Sequence, residues 1–363
     1  MHDLMLADLE RLICCESPSS DLDALHRCAD VLTGIGTTRL GQAPVRTEAG
    51  GRPVLRFGPA DPAVLLLGHL DTVHPIGTLE QTSYRVIDGR VYGPGVFDMK
   101  LGLVQALHAM AACASRDDVG LLVTADEELG SPASRTVIEA AAAESRAVLV
   151  LEASVDGKLK TARKGVSTYD LRFTGRAAHA GLEPEKGANT SLALAQTILA
   201  VSDLADTSVG TTVTPTVARS GVTINTVPDT ASLAIDVRAA SKDEQERVDK
   251  AIRALPSPVD GVSIEVLGGI NRPPLEASLS ADLFAMAQEV AAELGLPSLG
   301  GAHVGGGSDG NFTAGLGIPT LDGLGAVGNG AHTIHEWADV AALGERTRLL
   351  TGLIDRIAAG ARG

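Results

Sequence analysis

Apolar positions recur at helical spacing from the start of the chain. Met5, Leu9, Leu12 and Ile13 form one stripe; Leu25, Cys28, Ala29 and Leu32 form another after the Ser17-Pro18-Ser19-Ser20 break. The spacing predicts helices within residues 1–35. Residues 53–57 and 63–67 then read as strands. The second, AVLLL, is apolar throughout, which suits a strand covered on both faces. A hairpin and loop over 72–95, a helix over 101–114, an apolar strand at 121–124, an Ala-rich helix over 132–143 and a strand at 147–151 follow.

The pattern changes near Lys164. Residues 165–175 alternate in strand fashion, a helix is predicted over 188–203, and strands at 211–219 and 230–238 follow. A charged helix over 241–254 and a strand at 262–267 complete the order β-α-β-β-α-β, a ferredoxin-like pattern. From about 278 the α/β pattern of the N-terminal half returns, with a helix near 279–294, a Gly-rich loop at 305–310, a strand at 318–321 and a last helix. The expected organisation is therefore α/β. A discontinuous catalytic domain, 1–164 and 278–363, holds a mixed sheet flanked by helices, and a ferredoxin-like domain is inserted at 165–277.

Composition narrows the function. A formal net charge of −15 argues against nucleic acid and anionic membrane as partners. No apolar run reaches the roughly 20 residues that span a bilayer, and the acidic start MHDLMLADLE lacks the basic and apolar regions of a secretion signal. The expectation is a cytoplasmic protein. Cys14, Cys15, Cys28 and Cys113 have neither zinc-type spacing nor disulfide-framework density, and read as reduced thiols.

The candidate chemistry sits where apolar strands end or loops enter helices: His69 and Asp71, Asp98, Glu127 and Glu128, Glu152, and His332. Neighbouring carboxylates just past a strand repel each other unless a cation is present. Imidazoles with carboxylates are the donor set of zinc and similar ions. Two dications would be balanced by Asp98, Glu128, Glu152 and a bridging hydroxide. In an extended chain Glu127 and Glu128 would face opposite ways, one toward a reacting water and one toward a cation. Asp71, two residues beyond His69, falls on the same face and can accept its imidazole N–H. Asn225, Arg238 and Arg272 lie in the inserted domain or at its exit, and a guanidinium clamps a carboxylate in bidentate fashion. The loop around Gly306 offers backbone N–H groups for the same carboxylate.

These segments occur in a familiar order. His69-Leu70-Asp71, Gly93-Pro94-Gly95 with Asp98-Met99-Lys100, Asp126-Glu127-Glu128, Glu152, Ala178-His179-Ala180-Gly181, the 305–309 loop, and His332 with Glu336 together resemble the superfamily of two-zinc amidohydrolases. That superfamily includes bacterial glutamate carboxypeptidase, acetylornithine deacetylase, succinyl-diaminopimelate desuccinylase and aminoacylase. The resemblance implies a zinc-peptidase-like catalytic domain with an inserted lid and dimerisation domain. It implies two Zn2+ per chain, replaceable by Co2+ or Mn2+, with Asp98 bridging, His69 and Glu152 completing one site, and Glu128 and His332 the other. Glu127 would be the general base and acid, and the Asp98–Met99 peptide would be cis. His179 would assist the oxyanion, from the partner subunit in a homodimer formed through the inserted domain. Arg238 and Arg272 look like the positions that hold a substrate carboxylate. The substrate would be an N-acyl amino acid or short peptide, cleaved by a carboxypeptidase or by an N-acyl-amino-acid deacylase.

Leu101 departs from the pattern, since relatives often have Gly after the Lys. His335 is a second histidine beside His332. Two other readings stay open at this stage. One is a serine hydrolase built on Gly306-Gly307-Ser308-Asp309-Gly310 with Asp322 and His332. The other is a non-catalytic binding protein on the same fold.

Overall fold

The computed structural model describes residues 2–360; Met1 and residues 361–363, at the ends of the expected catalytic domain, lie outside that range. The chain divides into two compact units. One comprises residues 1–162, 275–304 and 308–363; the other comprises residues 163–274 and 305–307.

The first unit is built on a six-stranded sheet. Its order is Val45–Ala49, Arg52–Phe57, Val119–Thr124, Val64–His69, Ala147–Val150 and Thr320–Leu321. The last four strands run parallel and the first two antiparallel, so the sheet is mixed. Alternation along Val64–His69 divides the core. Leu66 packs into a cluster with the helices His2–Ile13, Leu22–Leu40, Leu101–Ala112, Ala277–Glu293 and Val340–Ala359. Leu65 and Leu67 face the opposite cluster, with Ile138 and Ala142 of Arg135–Ala143 and Phe312 of Gly310–Gly315. Covering both faces is what makes this strand read as one unbroken apolar run. A smaller antiparallel sheet, Gly328–Asn329, Trp337–Asp339, Arg90–Tyr92 and Arg85–Ile87, brings the 93–100 turn beside the 330–336 loop.

The second unit has a four-stranded antiparallel sheet in the order Thr212–Ser220, Thr230–Ala239, Gly165–Thr174 and Ser263–Arg272. The helices Thr190–Ser202 and Lys242–Arg253 share its core, in which Leu171, Leu233, Val248 and Ile252 are fully buried. The last strand extends beyond the predicted 267 to Arg272. It bends at a bulge between Ile270 and Arg272, and two glycines with positive φ, Gly268 and Gly269, break the apolar alternation that marks a strand in sequence.

Candidate functional site

Ligands of open α/β sheets gather at the carboxyl ends of parallel strands. His69 closes one such strand; Asp126 to Glu128 follow the next, and Glu152 lies two residues past a third. His69 is 1% exposed. Its Nδ1 lies 3.0 Å from the Asp71 carbonyl oxygen and 3.4 Å from the Asp71 carboxylate, which fixes the ring. Nε2 then faces Asp98 Oδ1 and Glu152 Oε1, each at 3.4 Å.

Glu127 to Leu129 form a 3-10 turn rather than an extended segment, closed by Gly130 in the left-handed region at φ 86°. The two glutamates therefore diverge through the curvature of the turn, not through strand alternation. Asp71, fully buried, pins this turn by accepting the backbone N–H groups of Glu127 and Glu128 at 3.3 and 3.2 Å, with Ser19 Oγ donating at 2.8 Å. Asp98 lies in the 96–100 turn, where the Asp98–Met99 peptide is cis. Gly95 opens that turn at φ 74°, and a Cβ there would lie 2.6 Å from Thr72 Cγ2. The departure at Leu101 has a simple account. Leu101 is buried in the core, whereas the next residue, Gly102, makes the close approach: a Cβ on it would lie 2.3 Å from the Leu151 carbonyl oxygen.

His332, at φ 63°, brings Nε2 to 3.2 Å from Glu128 Oε2 and 3.5 Å from Asp98 Oδ2. His335 is exposed and makes no such approach. Ligand atoms of His69, Glu127 and Glu152 form one group within 4.8 Å of each other, and those of Asp98, Glu128 and His332 another. Two atoms bound to one tetrahedral ion at ~2.0–2.1 Å stand about 3.3 Å apart. The four 3.2–3.5 Å separations match that edge. His69 Nε2, Asp98 Oδ1 and Glu128 Oε1 are buried with no hydrogen-bond partner, as metal donors would be. The donor set thus fits two divalent ions.

The electrostatics agree. Burial opposes a charge on His69, yet Asp71, Asp98 and Glu152 hold its imidazole well above the ordinary value. Asp98 pushes His332 up to about 9. Burial raises Glu128 to about 7, and against its own burial Asp98 is held well below the carboxylate range by His332 and His69. Protons collect where cations would sit.

Glu336, noted in sequence only for its spacing to His332, and His74, which sequence reading misses, also build the site. Glu336, 1% exposed, accepts backbone N–H groups from Phe97 and Asp98, both at 2.7 Å on Oε1, and from Gly95 at 2.8 Å on Oε2. His74 Nε2 completes the set at 2.9 Å from Oε2. Together they hold the turn that carries Asp98. The Glu336 spacing to His332 is visible in sequence, but its partners lie some 240 residues away.

In the second unit, His179 pairs with Thr226 and the Ala180 N–H donates to the Asn225 carbonyl at 2.9 Å, so His179 and Asn225 share one exposed corner. Arg238 and Arg272 both sit opposite Val166, on its two sides. Arg238, expected to meet a substrate, already makes a bidentate ion pair with Asp236, both bonds at 2.8 Å, because residues two apart on a strand share a face. Arg272 is 8% exposed. The Gly306 carbonyl accepts from Arg163 at 3.1 Å. The serine-hydrolase reading fails on geometry. Ser308 is fully buried and its Oγ donates to the Asp322 carboxylate at 2.7 Å, so the hydroxyl faces an acid instead of an imidazole.

Comparison with known proteins finds relatives along nearly the whole chain. The family model described as Peptidase family M20/M25/M40 matches residues 65–356. Carboxypeptidase G2 of Pseudomonas sp. (strain RS-16) is 28% identical over 98% of this chain and 90% of its own length. Succinyl-diaminopimelate desuccinylase of Rhodospirillum centenum is 30% identical over 96% of each. Among solved structures, aminopeptidase PepT of Bacillus cereus superposes with a TM-score of 0.77 at 20% identity, covering 99% of both chains. A dinuclear metal-binding peptidase of the M20 family from Bacillus subtilis gives 0.66 at 15% identity over 98% of both.

Proposed function

The chain belongs to peptidase family M20/M25/M40, a family of metal-dependent amide hydrolases, and on that premise we propose its substrate and the division of labour in its site. The bond cleaved is the amide to the amino group of an amino acid that keeps its free carboxylate. A peptidyl or an N-acyl group can stand on the other side, as the names of the two relatives illustrate. The observation that carries this reading is the pair of donor groups with metal-edge spacing at the strand ends.

His69 and Glu152 would hold one Zn2+, Glu128 and His332 the other, and Asp98 both; Co2+ or Mn2+ suits the same donors. When bound, the ions polarise the scissile carbonyl and acidify a water. Glu127, 8% exposed and grouped with His69 and Glu152, takes that water's proton and returns one to the leaving amine. Asp71 orients His69 and fixes the 127–129 turn at once. We assign Arg272, Asn225 and Gly306 to the substrate carboxylate, with Arg238 entering as a pair with Asp236. His179 is assigned to the oxyanion, acting from the partner subunit of a homodimer.

Dimerisation is assigned to the second unit. The strand Thr212–Ser220 lies at the edge of its sheet, and the neighbouring helix presents Leu192 and Leu199, 55% and 69% exposed. Among the described residues no helix is long and apolar enough to cross a membrane, and the four cysteines are free, which supports a reducing cytoplasm.

The test is a substrate panel with zinc or cobalt added. Dipeptides and N-acyl amino acids with a free carboxylate should turn over, the same compounds as C-terminal amides should not, and chelation should abolish turnover. Equal hydrolysis of the amides would remove the carboxylate clamp from the scheme.

A further inference from the structure

A second concavity lies in the first unit, on the loop that follows Glu152. It measures 620 Å3 and is bounded by the 156–158 turn, the 296–300 segment and the first half of the helix Val340–Ala359. Its walls are largely apolar: Leu296, Pro297, Leu299, Val327, Ala342 and Leu349. Two cations line it, Arg346 and Lys158.

Arg346 is the unusual member. It is 6% exposed, and its Nη2 donates to the Gly157 carbonyl. Its Nη1 is buried without a hydrogen-bond partner. Lys158 is exposed and, like Arg346, has no carboxylate within ion-pair distance among the described residues. The Gly157 carbonyl is the hydrogen-bond acceptor of this buried guanidinium and Glu345 acts on it only from beyond ion-pair distance, so an anion in contact would relieve its desolvation. Burial accordingly pushes Arg346 down to about 10. The mouth also holds Asp156, Asp339 and Glu345; Asp339 is spent in part on capping the helix through the Ala341 N–H. Three carboxylates around the opening offset the attraction of Arg346, Lys158 and the positive end of a 20-residue helix for a bare anion such as phosphate, so the apolar walls supply the remaining attraction and favour an anion that carries an apolar chain.

We propose that this cavity binds a small monocarboxylate with an apolar chain: the carboxylate on Arg346 and Lys158, and the chain against Leu296, Leu299, Val327 and Leu349. A short fatty acid and an apolar amino acid share that chemistry. Hexanoate and norleucine, which differ only by the α-ammonium group, separate the two sources.

Calorimetric titration of the full-length, metal-loaded protein tests the site. One equivalent of hexanoate or norleucine should bind, and the tighter of the two identifies the source. Arg346→Met should weaken that binding about tenfold or more, and Lys158→Ala less. Ala342→Phe, which fills the cavity without touching either cation, should abolish it and decides the matter should Arg346→Met fail to fold. Binding that survives both Arg346→Met and Ala342→Phe belongs to the metal centre and overturns the proposal. So does phosphate binding as tightly as hexanoate, or no binding of either carboxylate.

Discussion

Glu336→Gln is the sharpest test of how this site is built. The carboxylate receives four donors: two backbone N–H groups on one oxygen, a third with His74 on the other. A glutamine keeps the shape but turns one oxygen into an N–H2 group. If the remaining oxygen stays with Phe97 and Asp98, the new amide faces the Gly95 N–H, donor against donor, and only His74 can adapt by changing tautomer. One buried N–H left without an acceptor costs about 1–3 kcal/mol, and each bond that loses its charged acceptor weakens by roughly 1 kcal/mol. The sum, ~3–6 kcal/mol, falls on the turn that presents Asp98 and is comparable with the lower part of a global stability of about 5–15 kcal/mol. The variant should therefore fold with a lowered melting temperature. Its metal affinity should drop about 10–100-fold, as for other partners that orient ligands. Metal content after dialysis against graded chelator measures this, and activity should return at high metal concentration, which a general loss of fold would not allow. Unchanged metal retention in a folded Glu336→Gln protein would refute the reasoning.

Three further outcomes are expected. Glu127→Gln should keep both metals while kcat falls about 10^2–10^4-fold; metal analysis beside turnover checks it, and retained turnover removes Glu127 from its role. Leu192→Arg with Leu199→Arg should turn a dimer into monomer by sedimentation and sharply reduce activity, whereas an unchanged sedimentation coefficient would place dimerisation elsewhere. His108 is buried 2.8 Å from Asp8, which also pairs with Arg39, and burial holds the imidazole below its ordinary 6.5. The unfolded chain thus takes up the proton first, so this contribution to stability is whole above pH 6.5 and is lost as pH falls through the folded value. His108→Gln should flatten the stability profile just below pH 6.5, and an unaltered slope would contradict the sign.

What can be read from the sequence follows from what is local. Apolar runs ending in His69, Glu128 and Glu152 announce a buried parallel sheet with polar ends, and the structure brings those side chains to one place. The acidic triplet misleads about its own backbone, because a single turn closed by Gly130 carries no periodicity to read. The Asp236–Arg238 pair is legible, since alternation puts both on one face, yet the function of a lone arginine is the more conspicuous reading. His74 carries no signal of its own. It sits in a loop, and its only interest is a carboxylate that the fold delivers from the far end of the chain. The strands Leu159–Arg163 and Gly301–Val304 also escape the pattern, being short and mixed in polarity.

The order of the donors along the chain has a consequence for biogenesis. As the ribosome makes this protein, His69, Asp98, Glu128 and Glu152 emerge early, a nest of three acids around one imidazole. His332 arrives only after the entire second unit has been synthesised, with Glu336, the residue that steadies the 96–100 turn, just behind it. The nascent chain therefore carries mutually repelling carboxylates without their last partners, and on the proposed assignment a second ion would be acquired only once His332 has been synthesised.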